Sequence, residues 1–150
     1  MNLFFRTAIS VGLILSVTTA WAQDKPIGSV KTTEGQAKII RQKDTLDAVA
    51  GMKLLTGDIL RTGEDGSLGV VLRDDSVLSL GPDSELALQN FLFSPAHDQL
   101  EFNPKLLKGS AIYQSGEIGK LSPEKIRFET PVATIGIRGT RFGVWVGPDK

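Results

Sequence analysis

Two stretches of this chain set carboxylates beside serines: "RDDS" (Arg73–Ser76) and "GPDS" (Gly81–Ser84). Such groups could form a paired-acid site or a calcium loop. An EF-hand loop needs oxygens at alternating positions and a closing glutamate, which neither stretch supplies. A glycosidase needs two carboxyls facing each other across several ångströms. Asp and Ser also bond their own backbone in β-turns, and both stretches are read as turn chemistry. His97 is the single histidine and cysteine is absent. A zinc site of three or four nitrogen or sulfur ligands therefore lacks partners, and so does a histidine general base. Ser110, Ser115 and Ser122 lie outside any G-x-S-x-G context. "GEDG" (63–66) and "GEIG" (116–119) lack the lysine-serine of a phosphate loop, and no helix is expected to begin at either. These residues hold no catalytic constellation and call for no cofactor or metal.

The remaining candidate is Arg138, in "TPVATIGIRGTRFGVWV" (130–146). Thr130-Pro131 is expected to open a strand, because proline is permitted at a strand's first residue. Ile135 and Ile137 share one face. Gly136 lies on the other, where a neighbouring backbone is expected to come close. Gly139 turns the chain and "TRFGVWV" returns, with Arg138 at a hairpin corner. A guanidinium there is read as bonding turn carbonyls or a turn carboxylate, since its five donors form a fixed fork. The competing reading is a ligand- or partner-binding arginine. Trp145 opposes Phe142, Val144 and Val146. The uncharged "GVWV" run looks like a central strand, which places the indole between layers. Exposed, it would be an anchor for a partner.

The elements that must hold these residues are strands. No window of 11 or more residues carries an unbroken helical period, whereas period-two alternation recurs. Leu68, Val70 and Leu72 share a face. So do Leu86, Leu88 and Leu92; Ile126 and Phe128; and Ala37 and Ile39. Turn signals separate these runs at 56–58, 63–66, 73–76 and 81–84. The expected fold is all-β, one domain of many short strands, arranged as a β-solenoid-like coil or a sandwich or meander. Residues 94–109, with two prolines, read as a strand-poor surface excursion around a short strand at 99–102. "SPEK" (122–125) reads as one capped helical turn or a plain turn, the plain turn being favoured.

The N-terminus has one positive charge at Arg6, an apolar run from about Ala8 to Val17, and "AWA" (20–22). That is the pattern of a cleavable export signal, cut between Ala22 and Gln23, and its apolar run is short for a membrane span. Residues 23–150 then form the mature domain. Removing one arginine and no acid leaves 16 basic and 17 acidic side chains, a formal charge of −1. Such a balance gives no electrostatic case for nucleic acid or for an anionic membrane. The mature chain is expected to be soluble and periplasmic, standing on its hydrophobic core without disulfides.

"GQAKIIR" (35–41), "LLTGDILRTGEDGSLGVVLRDDSVLSLGPDSELAL" (54–88) and "KLSPEKIRFETPVATIGIRGTRF" (120–142) together resemble the FecR domain. The motif residues are Gly57, Asp58, Gly63, Gly66, Gly81, Pro82, Ser84, Thr130, Pro131, Gly136, Arg138, Gly139 and Thr140. Asp75 stands where the family usually has glycine. The resemblance implies an extracytoplasmic all-β domain. In the regulators of that family it lies behind a cytoplasmic part and a membrane helix, senses a loaded outer-membrane receptor and informs a sigma factor. Here an export signal takes the place of those parts, so the implied role is a free-standing envelope module that binds an envelope protein. Arg138, Trp145 and His97 are its candidate contacts. A small-molecule or glycan-binding envelope protein is the alternative.

Overall fold

The computed structural model describes residues 25–147; the expected cleavage at Ala22–Gln23 lies outside them. The strands are β1 (Gly28–Glu34), β2 (Ala37–Arg41), β3 (Asp44–Asp47), β4 (Lys53–Leu54), β5 (Ile59–Thr62) and β6 (Ser67–Leu72), then β7 (Val77–Leu80), β8 (Glu85–Ser94), β9 (Gln99–Gln114), β10 (Arg127–Glu129), β11 (Thr134–Gly136) and β12 (Arg141–Val146). A short helix, α1 (Glu117–Leu121), and two 3-10 turns complete the elements.

All twelve strands join one curled, mainly antiparallel sheet, in the order β3-β2-β5-β8-β9-β7-β6-β1-β4, with β10, β11 and β12 attached beyond this path. This is an all-β fold built as one curled sheet, a half-barrel. The pairings explain the curl. β1 pairs with β6 while β2 pairs with β5, and β6 pairs with β7 while β5 pairs with β8. Both β7 and β8 then run along β9. Each consecutive couple is thus one long ribbon with a corner in it. The corners are bonded in a row: Gly63 N donates to Gln36 O (2.9 Å), Asp83 N to Gly63 O (2.9 Å) and Gly81 N to Ser110 O (3.1 Å). The sheet folds over along this line. Gly109 marks the bend in β9 with φ +83°, and a Cβ there would strike Ser84 and the Asp83 carbonyl. Only glycine satisfies both demands.

The folded sheet buries its inner face. Val30, Leu68, Val70, Leu72, Leu78 and Leu80 cover one side of the line; Ile39, Leu60, Leu86, Leu88 and Leu106 cover the other. Each fully buried leucine contributes on the order of 1.5–3 kcal/mol. Phe91, Phe102, Tyr113, Phe128 and Phe142 form a chain of aromatic contacts, 5.4–6.4 Å between centroids.

Several expectations are corrected. Residues 99–109 are not a strand-poor excursion but most of β9, the longest strand, with 16 residues. Pro104 is tolerated because it adjoins the register shift between Leu88 and Phe91, where the ladder is already interrupted. The same shift turns Phe91 inward and leaves Leu92 47% exposed, so Leu92 does not join Leu86 and Leu88 in the core. A helix does begin within "GEIG", at Glu117. Thr130-Pro131 opens a turn rather than a strand: Thr130 N donates to Ala133 O (2.8 Å) and Ala133 N to Thr130 Oγ1 (3.0 Å).

Candidate functional site

The side chains that could do chemistry separate into sealed clusters and an open corner. Asp74 and Ser76 of "RDDS" are fully buried. Asp74 accepts from Ser76 N (Oδ1, 3.1 Å), Ser76 Oγ (Oδ2, 2.7 Å) and Ile118 N (Oδ2, 3.4 Å). Its main-chain carbonyl accepts from Glu117 N (2.6 Å), and Ser76 Oγ accepts from Gly116 N (3.0 Å). The turn therefore caps α1 from about forty residues away, serving the first free N–H groups that every helix leaves. Gly116 is required, since a Cβ there would strike the Asp74 carbonyl. Ser76 Oγ also lies 3.1 Å from Tyr113 Oη. Burial pushes the Tyr113 phenol well above its ordinary range; the Ser76 hydrogen bond opposes this and the Asp74 charge adds to it. An Asp–Ser–Tyr set invites a catalytic reading, but nothing outside the core can reach it. Asp75 has φ +63°, the left-handed conformation that glycine adopts most readily.

The second cluster belongs to "GPDS". Thr62 Oγ1 accepts from Ser84 N (2.9 Å) and donates to Gly81 O (2.7 Å). Ser84 Oγ accepts from Ser110 N (2.9 Å) and donates toward the Pro82 (3.0 Å) and Ser110 (3.1 Å) carbonyls. Ser84 thereby locks the corner of one ribbon to the bend of the next. Gly63 and Gly66 stand at the neighbouring corner, where added Cβ atoms would press on Gln36. In the third cluster, Asp58 is 1% exposed and takes both Nε (2.8 Å) and Nη2 (2.7 Å) of Arg41, as well as Leu55 N (2.8 Å). Donating to the Asp58 carboxylate raises the Arg41 pKa above its ordinary value. This two-pronged pair ties the Gly57 turn to β2. Nothing in the sequence pairs Arg41 with Asp58.

The corner is different. Arg138, Gly139 and Thr140 are exposed. β11 pairs with β10, and β12 pairs with β9, so the corner carries the chain between two strands and is not a hairpin. Arg138 makes no hydrogen bond or ion pair among the described residues, against the expectation that it bonds a turn. Among the described residues nothing lies within 4 Å of where a Gly136 Cβ would stand, so none of their backbone approaches there. Arg138 and Arg127 line an open groove of about 600 Å³ together with Pro123, Glu124, Ile126, Thr134, Gly136 and Ile137. Ile126 and Ile137 are buried and form its apolar floor. Trp145 is 74% exposed, not held between layers, because β12 is an outermost strand. His97 lies apart on the exposed 3-10 turn, 2.9 Å from Ser94 Oγ through Nδ1.

Sequence reasoning missed Asn103. Its Oδ1 is buried without a hydrogen-bond partner, beside a cleft of about 250 Å³ lined by Leu100, Glu101, Glu124, Lys125 and Arg127.

A family model described as "FecR protein" matches residues 58–150, more than half of the chain. No curated protein and no solved structure matches it.

Proposed function

The chain belongs to the FecR protein family, a regulatory and signalling family, and from that membership we propose that it is a non-catalytic sensing and interaction module of the periplasm. It docks an envelope protein in the groove beside Arg138. The observation that carries this reading is the contrast in how polar groups are used. Asp58, Asp74, Ser76 and Ser84 are consumed inside the fold, whereas Arg127 and Arg138, beside an apolar floor, make no ion pair among the described residues. Such a groove suits a protein segment that presents an apolar side chain beside a carboxylate. Arginine binds carboxylates through two parallel hydrogen bonds, and truncating an arginine anchor of this kind typically costs more than 1 kcal/mol of binding. The test is crosslinking and capture from the cell's own envelope with wild type and Arg138→Ala in parallel. A protein captured by wild type and lost with the variant supports the reading; equal capture moves the docking face elsewhere.

A second reading, binding of a glycan or another small polar ligand, is favoured by Asn103 alone. A buried carbonyl oxygen without a donor costs free energy that a ligand hydroxyl would recover. Calorimetric titration with envelope sugars tests it, and the absence of heat with every sugar removes it.

A further inference from the structure

We propose that β12 is a self-association edge, pairing antiparallel with β12 of a second copy of this chain. The inference stands apart from the Arg138 groove.

β12 pairs along one side with β9, and nothing among the described residues covers its other side. An uncovered strand edge is a template for another strand, and proteins ordinarily blunt it by shortness or charge. The other outermost strands follow that rule. β3 has four residues including Asp44 and Asp47, β4 has two and β11 has three. β12 has six, and after Arg141 its sequence is FGVWV. It carries the longest of these free edges, and beyond Arg141 it carries no charge.

Its burial pattern points the same way. Phe142, Val144 and Val146 face the core yet are only half-buried. Their register partners Tyr113 and Ala111 on β9 are 1% and 2% exposed. The inner layer is complete as far as β9 and open at β12, so one added strand would finish it. Arg141, Gly143 and Trp145 point outward and are exposed. A Cβ on Gly143 would meet nothing closer than 3.9 Å, so no packing within the molecule calls for glycine there.

A second β12 fits this edge. In antiparallel pairing, directly opposed residues share a face, which restricts the alignment to registers that preserve inward and outward positions. With the two-fold axis at Gly143, Phe142 of one copy opposes Val144 of the other on the inner face. Outside, Arg141 opposes Trp145 in both directions. That sets a guanidinium against an indole ring twice, a complementary pair worth having at an edge, and it opposes no like charges. The two sheets become continuous across an isologous interface.

The test needs no partner: light scattering and analytical ultracentrifugation on the full chain, purified as the cell processes it, over a wide concentration series. The expected result is a species of twice the chain mass, at least tenfold weakened in Val144→Lys and in Trp145→Ser. Trp145 is outward and exposed, so its substitution leaves the core intact, and circular dichroism checks both variants. The chain has no cysteine, so Gly143→Cys reads the register: mild oxidation should link two copies, whereas Ser79→Cys on β7 should not. A single-chain mass throughout the series overturns the proposal and leaves the edge to a strand of another protein. A dimer unaffected by both edge variants overturns it as well.

Discussion

Asp74 shows how a residue with catalytic credentials becomes architecture. Its carboxyl group and carbonyl together accept four donors, and none of those contacts reaches solvent. Asp74→Ala would strand the Ser76 and Ile118 donors in the core. Leaving such groups unmade is expected to lower stability by about 2–3 kcal/mol, read as a lower urea midpoint. Tyr113 gives a pH signature. Its pKa is raised in the fold by burial, so the folded state keeps a proton that the unfolded chain releases above about pH 10. Stability is therefore whole below that pH and declines as pH rises beyond it. Tyr113→Phe should remove this alkaline loss, measured by urea titrations between neutral and strongly alkaline pH. The turn role of Asp74, Ser76 and Ser84 was legible in "RDDS" and "GPDS", because Asp and Ser are turn formers wherever they lie. Their long-range partners were not, since Gly116, Ile118 and Ser110 are 26 to 44 positions away.

The strands follow from alternation wherever the ladder is regular, as at Leu68, Val70 and Leu72. They depart from it at the shift near Leu88, which exchanges the roles of Phe91 and Leu92. The alternation of Phe102, Pro104 and Leu106 was present in the sequence, but two prolines and a histidine outweighed it in the reading of 94–109. α1 was invisible for a different reason: it spans five residues and has no side-chain cap of its own, its N–H groups being served by a distant turn. The row of corners is the element on which the fold depends. Gly109→Ala places a Cβ against Ser84 at a positive φ. It is expected to cost at least about 1–3 kcal/mol from backbone strain alone, before any displacement of the Ser84 corner. Ser84→Ala, which removes the lock but keeps the glycine, should cost about 1–2 kcal/mol. Both are read by chemical denaturation, and a Gly109→Ala protein as stable as wild type would contradict the hinge role.

In the molecule as a whole, the matched region begins at Asp58, yet β1 and β2 are woven into the same sheet through β6 and β5. The FecR motifs fall largely on the fold line and the C-terminal corner. Gly63, Gly66, Gly81 and Ser84 make the bend, and Gly136 to Thr140 make the open face. That division explains why the sequence revealed the family and the all-β class but misjudged Arg138 and Trp145. Motif residues of both kinds look alike in one dimension, and only burial separates them. The measurement that bears most directly on the proposed role is quantitative crosslinked capture from native envelopes with wild type, Arg138→Ala and, as a surface control, Lys43→Ala on the β2–β3 turn. The expected result is one reproducible envelope protein held by wild type and Lys43→Ala and depleted at least tenfold with Arg138→Ala, while all three proteins unfold at the same urea concentration. The same protein held equally by all three, or none held by any, would contradict docking at the corner.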